Sequence, residues 1–198
     1  KLGQLDYSAE LAEVRAAKPD AVYTFLPGGM GINFIKQFVG AGLSKEMTLL
    51  QPGFGADQVI IRAVGDAMLG TFDTAHWALE LPNAANKRFV AEFEKEYKRL
   101  PSVYASQGYD AAMLIDAAVR DVKGKIEDKD AVRKALKAAR FQSVRGDFRF
   151  NTNQYPIQNY YLRVVGKDGQ GRLVNKVLGE PVFRNHGDAY VQDCKMPS

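Results

Sequence analysis

The sequence predicts an α/β protein in which parallel strands alternate with helices. Three short apolar segments, at 21–26, 47–51 and 69–75, have the length and composition of buried strands. The first two are followed by glycine-rich turns and then by apolar residues at helical spacing. Three such units close together in the chain favour a parallel sheet with helices on its faces.

The elements of this first region have recognisable boundaries. Ser8 is expected to cap a helix that ends before Pro19, because a serine side chain can accept a bond from the first turn. A second helix is predicted over 31–41, with Gly42 in the position of a C-terminal glycine cap. Asp57 is expected to cap a third helix.

The middle of the chain is predicted to be helical. One stripe of aromatic residues repeats every four positions, at Phe89, Phe93 and Tyr97. A second long helix follows over 104–122, and Asp128 or Asp130 is expected to cap a third. The apolar faces of these helices need a partner, and another sheet is the expected one.

From Gly146 the apolar period becomes two, which indicates strands. The segments 160–165 and 173–177 flank a turn at 166–169 and predict a hairpin. The tail beyond Pro181 shows little periodicity.

Composition argues against several classes of function. The 198 residues carry a net charge of +4, but Lys and Arg are scattered among acidic residues, so no nucleic-acid partner is expected. No apolar run is long enough to span a bilayer. The two histidines, His76 and His186, have no partner at ligand spacing, so neither a metal nor a cofactor is expected.

The sequence also lacks the marks of an enzyme. It has no nucleophile elbow, and the turn at 28–31 lacks both the third glycine of a dinucleotide loop and the lysine of a P-loop. The lone Cys194 is either an ordinary thiol or half of a disulfide to a segment upstream of this chain. We therefore expect a binding protein without catalytic residues.

The turn formed by Pro27, Gly28, Gly29 and Met30 is the first candidate site. It lies between a predicted strand and a helix, where ligands collect in open α/β sheets. Free backbone N–H groups at the helix start suit an anion such as a carboxylate. The alternative is that the glycines only permit a tight turn.

Further candidates are found near the ends of other predicted elements. They share an apolar or aromatic body that suits a ligand pocket, although core packing is an alternative for each one. These residues are Phe54, His76, Trp77 and Tyr104.

Several segments together resemble the leucine/isoleucine/valine-binding-protein family, the periplasmic substrate-binding proteins of branched-chain amino-acid-type ABC transporters. The segments are Asp6-Tyr7-Ser8, Lys18-Pro19-Asp20-Ala21-Val22, Phe34-Ile35-Lys36-Gln37, Tyr109-Asp110-Ala111-Ala112 and Gly146-Asp147-Phe148-Arg149-Phe150. The resemblance covers roughly residues 6–178, in the family's order.

The resemblance implies a type I periplasmic binding protein, with two Rossmann-like lobes, parallel central sheets and a three-strand hinge that closes on a solute. Residues 1–80 would belong to the C-terminal lobe, and 81–145 would pack on an N-terminal lobe that is mostly absent here. Residues 146–198 would return through the hinge to the C-terminal lobe. A signal peptide is expected upstream, as is a periplasmic monomer that delivers its solute to a membrane permease.

By the same resemblance, ligand contacts fall at Pro27, Gly28 and Gly29 and in the next loop at Gly53 and Phe54, while Tyr104 occupies a pocket-wall position. Amino-acid binders of the family place an acidic residue where this chain has Phe54. The expected solute is therefore a carboxylate with an aromatic or apolar body, such as benzoate or cinnamate. A branched-chain or neutral amino acid is the alternative, and a ligand-sensing regulator is a further one.

Overall fold

The computed structural model describes residues 2–194 and 196, and this part of the chain forms six α-helices and seven strands. The helices are α1 (Ser8–Ala17), α2 (Gly29–Gly40), α3 (Gln58–Val64), α4 (Ala84–Tyr97), α5 (Val103–Asp121) and α6 (Lys129–Ala138). The strands are β1 (Ala21–Tyr23), β2 (Thr48–Pro52), β3 (Phe72–Ala75), β4 (Arg149–Phe150), β5 (Pro156–Lys167), β6 (Leu173–Val177) and β7 (Phe183–His186). None of the described helices is long and apolar enough to cross a membrane.

The chain divides into two compact units. The first unit contains Lys1–Ala75 and Leu162–Glu180, and the second contains His76–Tyr161 and Pro181–Ser198. The sequence analysis assigned 146–198 to the same lobe as 1–80, whereas here both 146–161 and the tail from Pro181 belong to the second unit, in which β7 pairs with residues 158–160. The assignment of each unit to a lobe of a larger protein stays a prediction.

The first unit contains the parallel sheet that the sequence predicts. β1 pairs with β2 and β2 with β3, both in parallel. The hairpin is confirmed as well, because β6 runs antiparallel to β5. β1 ends at Tyr23, three residues earlier than expected, although Thr24 still donates its N–H to the Leu50 carbonyl at 3.2 Å.

The core of the first unit is apolar and lies around the sheet and its helices. Its members come from α1, α2, α3, from β2 and β5, and from the loops beside them, and they include Leu11, Phe34, Ile35, Phe38, Leu43, Ile61 and Met68. α2 contributes three of these residues at spacings of one and three, which is the pattern of an amphipathic helix. Burial of this helix face fixes where its first turn lies.

Two of the three predicted caps form. The carboxylates of Asp57 and Asp128 accept the N–H groups of Val59 and Ala131, both at 3.0 Å. The expected Ser8 cap is wrong, because Ser8 is already the first helical residue and its N–H and hydroxyl both donate to Asp6. Asp6 offers a charged acceptor, which forms stronger hydrogen bonds than a serine hydroxyl.

Candidate functional site

The glycine-rich turn of the first unit leads directly into α2. The helix begins at Gly29, two residues before the predicted start, and Gly28 is its N-cap with φ +58° and no side-chain cap. The first backbone bond of the helix joins the Ile32 N–H to the Gly28 carbonyl at 3.1 Å. The N–H groups before Ile32 therefore have no partner within the helix, and no acidic side chain occupies the first turn.

The glycines of this turn differ in how much space surrounds them. A Cβ added to Gly31 would lie 2.3 Å from the carbonyl oxygen of Leu26, so the helix start packs directly on the segment that follows β1. A Cβ on Gly28 or Gly29 would meet nothing within 4 Å. Access to the N–H groups of this turn is thus open on the side of Gly28 and Gly29, whereas Gly31 is buried.

Met30 contributes less to this surface than the sequence analysis expected. Its sulfur accepts the N–H of Gly3 at 3.3 Å, so the side chain faces the N-terminal segment. Pro27 is exposed beside the turn. The main-chain N–H groups, rather than the side chains of Pro27 and Met30, are therefore the groups of the glycine-rich turn best suited to bind an anion.

The second loop, 53–55, lies against the end of the sheet. A Cβ on Gly53 would come within 2.7 Å of the Thr74 carbonyl oxygen, which makes glycine necessary at this close approach. Phe54 is half-buried and packs edge-to-face with Phe25, with ring centroids 4.9 Å apart and an interplanar angle of 85°. Phe25 is 66% exposed.

Sequence reasoning missed Phe25 because it assigned this residue to the interior of a strand over 21–26. In the structure β1 is shorter, so Phe25 follows the strand. Since the carboxyl ends of parallel strands meet at one edge of a sheet, the loops after β1 and β2 share that edge. An aromatic pair and a bare helix N-terminus therefore belong to the same edge of the first unit.

A row of buried polar residues lies beneath this edge. Gln51 donates to the Thr24 hydroxyl at 2.6 Å and stands beside Asp73 in the parallel register. Asp73 accepts two bonds from the guanidinium of Arg163, whose side chain is 2% exposed. Burial raises the pKa of Asp73 to about 7, with Arg163 opposing that shift.

In the second unit, the structure argues against Trp77 as a ligand contact. The residue is 2% exposed, and its indole N–H donates to the side-chain oxygen of Asn86 at 2.6 Å. Asn86 is itself fully buried and also donates to backbone carbonyls that include those of Leu79 and Leu81. Trp77 is thus a core residue, as the packing alternative in the sequence analysis proposed.

The other two candidates of the second unit remain accessible. Tyr104 is 57% exposed in the first turn of α5. His76 is half-buried, and its Nε2 lies 3.4 Å from the side-chain nitrogen of Gln107. Their roles in binding stay predictions. Among the described residues, no group of three or more His, Cys, Asp or Glu side chains could hold a metal ion.

The parallel sheet and the glycine-rich edge define an α/β fold of the solute-binding type. The chain belongs to the periplasmic binding protein family, whose sequence profile matches residues 1–170. This result confirms the resemblance and the fold class that the sequence analysis stated.

Particular relatives agree with this assignment. The chain is 30% identical over 191 residues to Leu/Ile/Val-binding protein homolog 6 of Brucella melitensis, a match that covers 92% of the chain and 47% of the relative. It superimposes on an ABC transporter solute-binding protein from R. palustris, solved in complex with benzoate, with a TM-score of 0.82 and 37% identity. That match covers 98% of this chain and 51% of the other.

A third relative is a solute-binding protein from Rhodopseudomonas palustris BisB5, solved in complex with 3,4-dihydroxybenzoic acid. Its TM-score is 0.79 at 33% identity, and the match covers 91% of this chain and 50% of that one. The chain therefore spans about half the length of the relatives it matches.

Proposed function

We propose that the full-length protein is the periplasmic solute-binding component of an ABC importer and that it captures an aromatic carboxylate for a membrane permease. The observation that carries the proposal is the composition of one edge of the first unit. Main-chain N–H groups at the start of α2 and the aromatic pair of Phe25 and Phe54 belong to that edge. An anionic head and an aromatic body match these two features.

Among the residues that the structure describes at this edge, none offers an exposed carboxylate to an ammonium group. The second loop has Phe54 where amino-acid binders have an acid, and the next carboxylate, Asp57, is 1% exposed and caps α3. A desolvated ammonium without a charged partner is costly. This difference disfavours an α-amino acid as the solute.

The relatives support the aromatic solute through what their solved complexes contain. One holds benzoate and another holds 3,4-dihydroxybenzoic acid, at 37% and 33% identity to this chain. The second candidate is a branched-chain amino acid, which the name of the Brucella relative favours. The two candidates differ in whether the solute carries an ammonium group.

Calorimetric titration of the full-length protein with benzoate, 4-hydroxybenzoate, cinnamate and leucine separates the candidates. We expect benzoate-type acids to bind at least tenfold more tightly than leucine. Phe54→Ala should weaken benzoate binding about tenfold, because an aromatic contact and its buried area contribute on the order of 1–2 kcal/mol. Tyr97→Ala, which removes a 58% exposed aromatic ring from α4, is the matched control and should bind as the wild type does.

Tight binding of leucine with no heat from the aromatic acids would overturn the ligand assignment. Equal weakening by the two alanine variants would show that Phe54 acts through general stability. The family assignment would stand in either case.

A further inference from the structure

Two buried oxygen atoms of the first unit have no hydrogen-bond donor among the residues that the structure describes. They are Oε1 of Gln51, a residue that is 3% exposed, and Oδ2 of Asp73, a residue that is 2% exposed. A buried acceptor without a donor is costly, so most such atoms in folded proteins have a partner. Two of them on neighbouring strands therefore need a physical explanation.

The strand pairing places the two side chains next to each other. Gln51 and Asp73 are register partners in the parallel strands β2 and β3, and neighbouring strands lie about 4.8 Å apart. Leu49, two residues before Gln51, belongs to the apolar core, and so does Val165, two residues after Arg163. Because side chains alternate along a strand, these polar groups share the core-facing side of the sheet. The amide of Gln51 and the carboxyl group of Asp73 are thus within reach of one hydrogen bond.

The charges around Asp73 come from two other elements of the same unit. Arg163 on β5 donates from both Nε and Nη2 to one oxygen, Oδ1, whereas the common bidentate arrangement uses both carboxylate oxygens. Burial raises the pKa of Asp73 to about 7; Arg163 opposes this shift, and Asp57, the N-cap of α3, adds to it. A protonated carboxyl group is therefore favoured below about pH 7.

A single proton on Asp73 gives both oxygens a partner. A protonated carboxyl group donates through one oxygen and accepts through the other. With the proton on Oδ2, Asp73 can donate to Oε1 of Gln51 while its Oδ1 still accepts from Arg163. An ionised carboxylate has no donor, so Gln51 could bond to it only if the amide turned over and presented its nitrogen.

The packing of the Gln51 amide favours the orientation with its oxygen toward Asp73. The amide nitrogen donates to the Thr24 hydroxyl at 2.6 Å, and the amide oxygen lies so close to Gly55 that a Cβ added there would overlap it. A turned amide would place an NH2 group with two hydrogens in this confined position. Thr24 directly precedes Phe25 and Gly55 directly follows Phe54, so the amide links the two loops that carry the aromatic pair.

We propose that Gln51 is a positioning residue for the Phe25–Phe54 pair and that a proton on Asp73 holds its amide in place. Loss of the proton turns the amide, disturbs its contact with Gly55 and displaces the ring of Phe54. The inference rests on the proposed function for the part that Phe54 takes in binding. Solute affinity then depends on the protonation of a residue beneath the site.

Calorimetric titration of the full-length protein with benzoate between about pH 5.5 and 8.5 tests the proposal, because a carboxylic acid with a pKa near 4 stays ionised throughout this range. We expect the affinity of the wild type to fall about fivefold as the pH rises, the size of one hydrogen bond. Asp73→Asn supplies a permanent N–H donor to Gln51 and keeps an oxygen for Arg163. It should bind as the wild type does at low pH and show no pH dependence.

Two further variants complete the comparison. Asp66→Asn, the matched control, removes an exposed carboxylate that pairs with Lys167 in the same unit, and it should retain the pH dependence of the wild type. Gln51→Met keeps the side-chain length without the hydrogen bonds, so it should bind about fivefold more weakly at low pH and lose no more affinity at high pH. A pH dependence that persists in Asp73→Asn or in Gln51→Met would overturn the proposal.

A spectroscopic measurement separates this inference from the proposed function. In nuclear magnetic resonance spectra of the solute-free protein, the carboxyl carbon of Asp73 should titrate with a midpoint of about 7, and the side-chain amide signals of Gln51 should shift with the same midpoint. If the wild type binds leucine and no aromatic acid, the proposed function fails and these signals still test the proton. A midpoint near 4 for Asp73, or Gln51 signals that do not follow it, would overturn the inference while benzoate binding stands.

Discussion

A single methyl group added at the start of α2 should distinguish a glycine that permits close backbone packing, Gly31, from a glycine that borders open space, Gly29. In Gly31→Ala the new Cβ would lie 2.3 Å from the Leu26 carbonyl oxygen and 3.4 Å from its carbon. Both atoms belong to the backbone, so relief requires α2 or the segment after β1 to move. In Gly29→Ala, two residues earlier in the same turn, the Cβ meets nothing within 4 Å.

The expected energies have opposite signs. Overpacking against backbone costs about 1–3 kcal/mol, which sets the predicted loss of unfolding free energy for Gly31→Ala. Gly29→Ala replaces glycine in a helical position without a clash and should be neutral or stabilising by up to about 1 kcal/mol. Both variants retain every side chain of the proposed site.

Urea unfolding measures the change in unfolding free energy. Calorimetric titration with benzoate measures the change in binding affinity. A shift of the N–H groups in Gly31→Ala should weaken benzoate binding, because a displacement of under an ångström misaligns hydrogen bonds to an anion. Equal unfolding free energies in the two alanine variants would refute the reasoning about this close approach.

Two further predictions concern buried polar groups. Asn86→Leu should lower the unfolding free energy by at least about 2 kcal/mol, because the Trp77 indole N–H and several carbonyls lose their buried partner; an unchanged urea midpoint would contradict this. Asp73, with its pKa raised from 3.8 to about 7 by burial, binds its proton more tightly in the folded chain. The stability of the wild type relative to Asp73→Asn should therefore be greatest below about pH 4 and fall as the pH rises through about 7, by up to about 1.4 kcal/mol per pH unit. Parallel pH profiles for the two proteins would show that Asp73 does not titrate in this range.

Local chemistry determined much of what the sequence could predict. The Asp57 cap and the glycine after α2 depend on residues within a few positions, and both form as expected. Periodicity likewise located β2 and α5 to within about one residue. Such features are set by the hydrogen bonds and packing of one short segment.

Other features could not be predicted, because the surroundings of the side chains concerned come from distant segments. Trp77 follows a strand, as a ligand contact would, but the buried amide of Asn86 holds it in the core. Phe25 could not be chosen from its neighbours in sequence, since Phe54 supplies its ring contact. No local pattern encodes a contact between residues so far apart in the chain.

The central claim is that the start of α2 binds the carboxylate of an aromatic solute. A crystal structure of the full-length protein with benzoate tests it most directly. We expect a carboxylate oxygen within about 2.7–3.2 Å of main-chain nitrogens at Gly29–Gly31, with the benzoate ring in contact with Phe54. A carboxylate bound away from these nitrogens, or a ring that does not touch Phe54, would contradict the account.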